Sequence, residues 1–203
     1  MRPLLILDCD EVILHFAAPF QQWLRETQDM ELTFNSFSLT KNLRRIADDS
    51  LVAAEEFPAL LDGFFAGGQE LQQPVPGVVE ALADLRKDMD IAVLTNIADA
   101  HSAMRISVLR RAGLDLPVHA NRGPKGAAVA KMAQGRRAVF VDDLPPHHQS
   151  VADLAAAVGR LHMVADPVLR PLIAPAQAAH ARIDDWPQAA PWIRARIEEG
   201  TGA

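Results

Sequence analysis

Two carboxylates separated by one residue follow an apolar run near the start of the chain. Residues 4–7 are Leu, Leu, Ile and Leu, and Asp8 and Asp10 come directly afterwards. Such a run is typical of a strand buried on both faces, as in a parallel sheet covered by helices. Because open α/β sheets bind ligands beyond the carboxyl ends of their strands, Asp8 and Asp10 are predicted to lie at a ligand site. An isolated pair of this kind also occurs as a turn or a helix cap.

Three further stretches place polar groups at the ends of predicted elements. "AVLTN" ends in Thr95 and Asn96, "AVFVDD" ends in Asp142 and Asp143, and "GPKG" places Lys125 at the start of a helix. A helix N-terminus has free backbone N–H groups and favours anions. We expect all of these groups to converge on one crevice, with Lys125 near solvent and contributing little to the core.

These residue types suit chemistry on a phosphoryl group. Asp8 can attack phosphorus and form an aspartyl-phosphate, which water then hydrolyses. Asp10 can protonate the leaving oxygen and later deprotonate the attacking water. The pair Asp142 and Asp143 offers the hard oxygen ligands that Mg²⁺ prefers. The groups predicted to hold the phosphate oxygens are Thr95, Asn96 and Lys125.

This ordered set resembles the haloacid dehalogenase superfamily of phosphotransferases. The signature of that superfamily is D-x-D after the first strand, Thr or Ser after the second, Lys at a helix start, and an acidic pair after a later strand. The match extends from Leu4 to the C-terminal stretch "RIDDWPQAAPWI". The resemblance implies an α/β fold, with a Rossmann-like parallel sheet flanked by helices and a small helical cap domain.

The same resemblance implies an enzyme that hydrolyses the phosphate monoester of a small metabolite. Asp8 would be the nucleophile, and Asp10 would be the acid and base. The cofactor would be Mg²⁺, with a metal site formed by Asp8, by Asp10 through its backbone carbonyl, and by Asp142 or Asp143.

Two positions depart from the pattern of the family. Many members have Gly-Thr after the second aspartate, whereas this chain has Glu11 and Val12, which resembles the D-x-D-E-T form of the C-terminal-domain phosphatase branch. That branch lacks a comparable cap. Many members also have a further acidic residue after the metal aspartate, and here the chain has His147 and His148. His147 is either an orienting or metal-linked group or an exposed histidine at a helix start.

The sequence pattern divides the chain into two parts. From about Pro74 helical and strand patterns alternate, as in repeated αβ units. Residues 16–73 have mostly helical patterns, as in "APFQQWLRETQDM" and "EEFPALLDGFFAGG", and no clear strand pair. We therefore predict a catalytic core of residues 1–15 and 74–203, and a helical cap insertion of residues 16–73.

Composition limits the range of functions. The net charge of −6 argues against an extended nucleic-acid surface. No run approaches the roughly 18 apolar residues of a membrane span, and the N-terminus does not resemble a signal peptide, so we expect a cytoplasmic protein without a membrane partner. A single cysteine, Cys9, excludes an intramolecular disulfide. It is expected to be a small buried residue, with a nucleophilic role as the alternative.

Several reactions remain open within the resemblance. Displacement of a halide needs no proton on the leaving group, so the presence of Asp10 favours phosphoryl transfer over a dehalogenase. A phosphomutase would also keep Asp10. A binding module that retained the fold without turnover is a hypothesis of a different class.

Overall fold

The apolar run before Asp8 forms a strand at the centre of a parallel sheet. The structure, a computed structural model, describes residues 1–36 and 40–199. Its strands are β1 (Leu4–Leu7), β2 (Met30–Leu32), β3 (Leu43–Arg45), β4 (Asp90–Thr95), β5 (Val118–Ala120), β6 (Ala138–Asp142), β7 (Gly159–His162) and β8 (Ala181–Arg182). In this described part, six strands form one parallel sheet in the order β5-β4-β1-β6-β7-β8.

Helices connect the strands of this sheet. Within residues 1–36 and 40–199 they are α1 (Ala17–Gln28), α2 (Phe57–Gly67), α3 (Val78–Leu85), α4 (Ser102–Arg111), α5 (Gly126–Ala133), α6 (Pro145–Leu154) and α7 (Trp186–Glu199). The predicted Rossmann-like α/β fold is therefore confirmed. The sequence pattern does not predict β8, which has only two residues. In the described part of the chain, every helix is too short or too polar to span a bilayer.

Strand β1 is buried on both faces, as its sequence predicts. Leu5 and Leu7 belong to the hydrophobic core formed with α3, α4 and α7, whereas Leu4 and Ile6 belong to the core formed with α5 and α6. Its neighbours β4 and β6 run parallel to it, with Leu7 beside both Val93 and Val141. The carboxyl ends of β1, β4 and β6 therefore meet at one edge of the sheet, where the predicted site residues leave their strands.

The segment after β1 contains more than helices. Strands β2 and β3 form an antiparallel pair, with Glu31 opposite Arg44, so the expectation of no strand pair in this segment is wrong. Strands of three residues are too short to show a periodicity of two in the sequence. With α1 and α2 they pack around a separate hydrophobic cluster that includes Phe20, Phe64 and Phe65. A cap domain of residues 16–73 remains a prediction.

The chain enters and leaves this segment through two adjacent backbone stretches. The N–H group of His15 donates to the carbonyl oxygen of Gln73 at 2.9 Å, and the N–H group of Val75 donates to that of Ile13 at 2.8 Å. The outgoing and returning stretches are thus paired in an antiparallel manner at the sheet edge, close to Asp10.

Candidate active site

Asp8, Lys125 and Asp142 form a buried ionic cluster at the ends of β1 and β6. The Nζ atom of Lys125 lies 2.7 Å from Asp8 Oδ1 and 2.7 Å from Asp142 Oδ2. Lys125 precedes α5, and only 1% of its side chain is exposed. The expectation that Lys125 lies near solvent is therefore wrong. The reason is that two carboxylates from neighbouring strands surround its ammonium group.

Asp143 adds a third carboxylate to this cluster. Asp8, Asp142 and Asp143 each offer an oxygen within 4.8 Å of the other two. Burial raises the pKa of Asp143 well above its ordinary value, and the charges of Asp142 and Asp8 raise it further. Burial also raises the pKa of Asp8, although Lys125 opposes this effect. If all three carboxyl groups were ionised, the single ammonium group would leave excess negative charge, and a divalent cation would offset that charge.

The two adjacent aspartates differ in their surroundings. Asp142 uses both carboxylate oxygens, since Oδ2 accepts from Lys125 and Oδ1 accepts from the backbone N–H of Leu144 at 2.9 Å. Within the described residues, no hydrogen bond to the carboxylate of Asp143 is present, and Asp143 lines a cavity together with Asp8. Asp143 is thus the better placed of the two to bind a cation, and Asp142 positions Lys125.

Two buried histidines hold the backbone of this aspartate pair. His148 Nε2 lies 2.9 Å from the carbonyl oxygen of Asp142, and His162 Nε2 lies 2.8 Å from that of Asp143. Burial lowers the pKa of His148 to about 4 and also lowers the pKa of His162. Both rings are therefore neutral at neutral pH, with the proton on the Nε2 that donates to the carbonyl. Sequence reasoning missed this role, although "HH" near the start of α6 was visible.

Asp10 forms an ion pair with Arg105, a residue that the sequence motifs do not indicate. Arg105 Nη1 lies 2.9 Å from Asp10 Oδ1, and Arg105 Nη2 lies 3.1 Å from Asp10 Oδ2. Gln72 Nε2 donates to Asp10 Oδ1 at 2.8 Å. Arg105 shares the buried face of α4 with Val108 and Leu109, three and four residues later. This helical spacing is the signal in the sequence that could have indicated an inward-pointing arginine.

A cavity of ≈ 230 Å³ lies at this edge of the sheet. Its wall consists of charged residues of the site, apolar side chains from the segment after β1, and Leu169 from the loop that follows β7. The residues that line it are Asp8, Asp10, Glu11, Phe16, Ala17, Leu61, Phe65, Asn96, Lys125, Asp143, Leu144, His147 and Leu169. Five of the predicted site residues, Asp8, Asp10, Asn96, Lys125 and Asp143, therefore share one cavity.

Two of the predicted phosphate-binding residues, Thr95 and Asn96, lie at the end of β4. The hydroxyl of Thr95 is buried without a hydrogen-bond partner in the described residues. Asn96 donates to the carbonyl oxygen of Gly123 at 3.1 Å and accepts from Asn121 at 2.7 Å. His147 is buried, with Nε2 at 3.4 Å from Asn96 Nδ2, so the alternative of an exposed helix-start histidine is wrong.

Glu11 stands where the family pattern has the glycine of Gly-Thr, and it has a structural role in this protein. Its backbone is in the left-handed region, with φ of 58°. Its Oε1 accepts from the backbone N–H groups of Phe16 and Ala17, both at 2.8 Å, and its Oε2 accepts from that of Asp166 at 3.0 Å. Glu11 thus joins the start of α1 to the loop that follows β7.

Cys9 is unsuited to nucleophilic chemistry in this environment. The residue is fully buried, and burial raises the pKa of its thiol to about 12. The charges of Asp10 and Asp8 act in the same direction, against the opposing effect of Arg105. Cys9 is therefore the small buried residue that its position at a strand end predicts.

Comparison with known structures identifies the fold. The structure is similar to a haloacid dehalogenase-like hydrolase from Streptococcus pneumoniae, with a TM-score of 0.65 and 8% identity over 93% of this chain and 97% of that chain. It is also similar to a HAD hydrolase from Bacillus subtilis bound to magnesium, with a TM-score of 0.65 and 16% identity over 95% and 98% of the two chains.

A third similar structure contains an anion. It is a HAD family hydrolase from Deinococcus radiodurans with bound phosphate and sodium, with a TM-score of 0.63 and 16% identity over 96% of each chain.

No protein-family model and no curated protein sequence matches the chain. The chain has the haloacid dehalogenase-like fold over nearly its whole length, as the resemblance in the sequence implies.

Proposed function

We propose that the protein is a Mg²⁺-dependent phosphatase that hydrolyses a phosphate monoester through an aspartyl-phosphate on Asp8. The observation that carries this proposal is the cavity in which Asp8 lies 2.7 Å from the ammonium group of Lys125 and beside the carboxylate of Asp143, which accepts no hydrogen bond from the described residues. A nucleophilic carboxylate, a cation for the phosphoryl oxygens and a metal-binding carboxylate are the parts that such a reaction needs.

In the first step an oxygen of Asp8 forms a bond to phosphorus, and the bond from phosphorus to the leaving oxygen breaks. Lys125 is adjacent to Asp8 and would donate to the non-bridging oxygens of the phosphoryl group. The buried hydroxyl of Thr95 has no partner in the described residues, and a phosphoryl oxygen would supply one. In the second step water attacks the phosphorylated Asp8, and inorganic phosphate is released.

The carboxylates of Asp8 and Asp143, with the backbone carbonyl of Asp10 that the resemblance implies, would hold Mg²⁺. The fit rests on three buried carboxyl groups with oxygens within 4.8 Å of one another and on their hard oxygen donors. When bound, the cation would offset the charge that otherwise keeps an anionic nucleophile and an anionic phosphate apart.

The substrate is proposed to be a small phosphorylated metabolite. The cavity of ≈ 230 Å³ is smaller than the about 300–1,000 Å³ that is usual for sites of drug-sized ligands. Its apolar wall, from Phe16, Leu61, Phe65 and Leu169, would contact the part of the substrate that carries the phosphate.

The experiment is a test for phosphorylation of Asp8. The purified protein is mixed with acetyl phosphate or nitrophenyl phosphate, with Mg²⁺ or with excess EDTA, and the peptide that contains Asp8 is analysed by mass spectrometry. We expect phosphate on that peptide and steady hydrolysis only with Mg²⁺, and neither in Asp8→Asn. Asp143→Asn should raise the Mg²⁺ concentration needed for half-maximal activity and lower turnover. Undiminished hydrolysis in EDTA would contradict the proposal.

The alternatives give different results in the same preparation. A phosphomutase would return the phosphoryl group to a second hydroxyl of the substrate instead of to water. A dehalogenase would release halide from a 2-haloacid and form an ester on Asp8. A binding module would form no phosphorylated Asp8 with any donor.

A further inference from the structure

A second cavity adjoins the one that contains Asp8. It has a volume of ≈ 550 Å³, and its wall combines residues of α2 with the stretches that follow β4 and β5. Leu61, Phe65 and Asn96 line both cavities, so the two spaces meet along these three side chains. A substrate whose phosphate lies beside Asp8 can therefore extend into the second cavity past the apolar side chains of Leu61 and Phe65.

Arg122 is the charged residue that the second cavity offers to a ligand. The residue is exposed and lines this cavity. Among the arginines that the structure describes, it is the one that forms no hydrogen bond and no ion pair within the described residues. The single carboxylate among the described wall residues, that of Asp62, already lies 2.7 Å from His101 Nε2. The guanidinium of Arg122 is thus available to a group from outside the chain, and its planar donors suit a carboxylate or a phosphate.

The loop that carries Arg122 is held in place by the end of β4. The carbonyl oxygen of Gly123 accepts from Asn96 Nδ2 at 3.1 Å and from Asn121 Nδ2 at 3.0 Å. The backbone N–H of Asn121 donates to the carbonyl oxygen of Thr95 at 2.9 Å. These contacts fix the backbone on both sides of Arg122, so less of the loop has to become ordered when a ligand binds.

Arg122 and Lys125 lie close enough to serve one small ligand. Three residues separate them along the chain, so their Cα atoms are at most about 11 Å apart. Lys125 marks the place of the phosphoryl group, since its Nζ lies 2.7 Å from Asp8 Oδ1. The chain as a whole has a net charge of −6 and repels anions, so a ligand with several negative charges needs local cations such as these two.

We propose that the leaving group of the substrate carries a second anionic group, a carboxylate or a further phosphate, which binds Arg122 in the second cavity. This inference rests on the proposed function and narrows its substrate class. In this arrangement the phosphoryl group lies beside Asp8 and Lys125, the carbon skeleton contacts Leu61 and Phe65, and the second anion accepts hydrogen bonds from the guanidinium. Arg122 selects among phosphate monoesters without touching the bond that breaks.

The test compares alkyl phosphates of similar length in steady-state hydrolysis with Mg²⁺. The phosphate ester of 3-hydroxypropionate carries a carboxylate, 1,3-propanediol bisphosphate carries a second phosphate, and propyl phosphate carries neither. We expect wild type to prefer at least one of the two anionic esters to propyl phosphate by about 10- to 100-fold in kcat/KM, as is usual for hydrogen bonds to a charged group. In Arg122→Met this ratio should fall to within about threefold of unity, mainly through a higher KM for the anionic ester, because the contact is the same before and during the reaction.

Two further variants separate a contact with Arg122 from a general effect of charge. Arg122→Lys keeps the charge without the planar fork and should retain part of the preference. Arg110→Met is the matched control, since Arg110 is exposed, lies on α4 outside both cavities and pairs with exposed Asp115, and it should leave the ratio unchanged. Because Arg122 has no partner in the described residues, its replacement should not move the midpoint of urea unfolding, so misfolding would not explain a lost preference.

The outcomes separate the inference from the proposed function. If wild type hydrolyses neither these esters nor nitrophenyl phosphate, the proposed function fails, and the inference fails with it. If wild type hydrolyses a phosphate ester but prefers no anionic one, or if Arg122→Met keeps the preference, only the inference fails. An equal loss of preference in Arg110→Met would also overturn the inference, because net charge would then be the cause. A preference that Arg122→Met abolishes for only one anionic ester would support the inference and identify the second anion.

Discussion

Lys125→Met tests whether the ammonium group balances the carboxylates of the candidate site. Methionine keeps an unbranched side chain of similar length and removes the charge. Lys125 Nζ is 2.7 Å from both Asp8 Oδ1 and Asp142 Oδ2, and all three side chains are buried. Loss of one partner from a buried ion pair costs about 3–5 kcal/mol. Since two carboxylates lose their partner here, we expect the free energy of unfolding to fall by at least the lower value.

The assay is urea unfolding at neutral pH, with and without Mg²⁺. A loss of about 3–5 kcal/mol is a large part of the roughly 5–15 kcal/mol that stabilises a typical domain, so the midpoint should move far toward low urea. Excess Mg²⁺ should restore part of the loss, because a cation at Asp8 and Asp143 reduces the same repulsion. Lys131→Met is the matched control, since Lys131 is an exposed residue of α5, and its replacement should change stability by less than about 0.5 kcal/mol.

Two outcomes would refute this reasoning. If Lys125→Met unfolds within about 1 kcal/mol of Lys131→Met, the ion pairs carry little of the stability that their burial implies. If Mg²⁺ stabilises the Lys131→Met control as strongly as it stabilises Lys125→Met, the cation does not act on the charges that Lys125 balances.

Three further predictions concern packing and reactivity. In Gly126→Ala the new Cβ would overlap the backbone oxygen of Ser150, so α5 and α6 must separate. Urea unfolding should show that the free energy of unfolding falls by about 1–3 kcal/mol, whereas an unstrained helical Gly→Ala change would raise it. Trp186→Phe removes the hydrogen bond that Nε1 donates to the carbonyl oxygen of Val12 at 2.9 Å. The free energy of unfolding should therefore fall by about 1–3 kcal/mol, and an unchanged midpoint of thermal unfolding would contradict this prediction. Cys9 is buried with a thiol pKa of about 12, so iodoacetamide at mildly alkaline pH should label the unfolded chain and leave the folded protein unlabelled, as mass spectrometry would reveal.

The sequence predicted the sheet edge well because the signal is local. Continuous apolar runs before Asp8, Thr95 and Asp142 mark strands that are buried on both faces, and polar residues directly after them must lie at the carboxyl ends. The order of the motifs along the chain then sufficed to indicate the haloacid dehalogenase-like fold, which the comparison with solved structures supports.

The contacts between distant segments could not be predicted in this way. The position of Lys125 at a helix start is visible in the sequence, but its burial depends on carboxylates from two other elements. Helical spacing indicates that Arg105 points inward, yet its partner Asp10 lies 95 residues earlier in the chain. The preference of a charged side chain for solvent is reversed only when the partner is in place, and single-sequence patterns do not contain that information.

The paired backbone stretches beside Asp10 limit the ways in which the segment between β1 and β4 could move relative to the sheet. His15 bonds to Gln73 and Val75 bonds to Ile13, so the two connections to the sheet form one short double-stranded joint and do not act as two independent tethers. Hydrogen bonds between the two stretches oppose sliding of one along the other and leave the pair free to bend. We therefore expect any opening of the segment over the cavity to be a rotation about a single axis through residues 13–15 and 73–75, with Glu11 limiting its range by holding the first turn of α1 to the loop at Asp166.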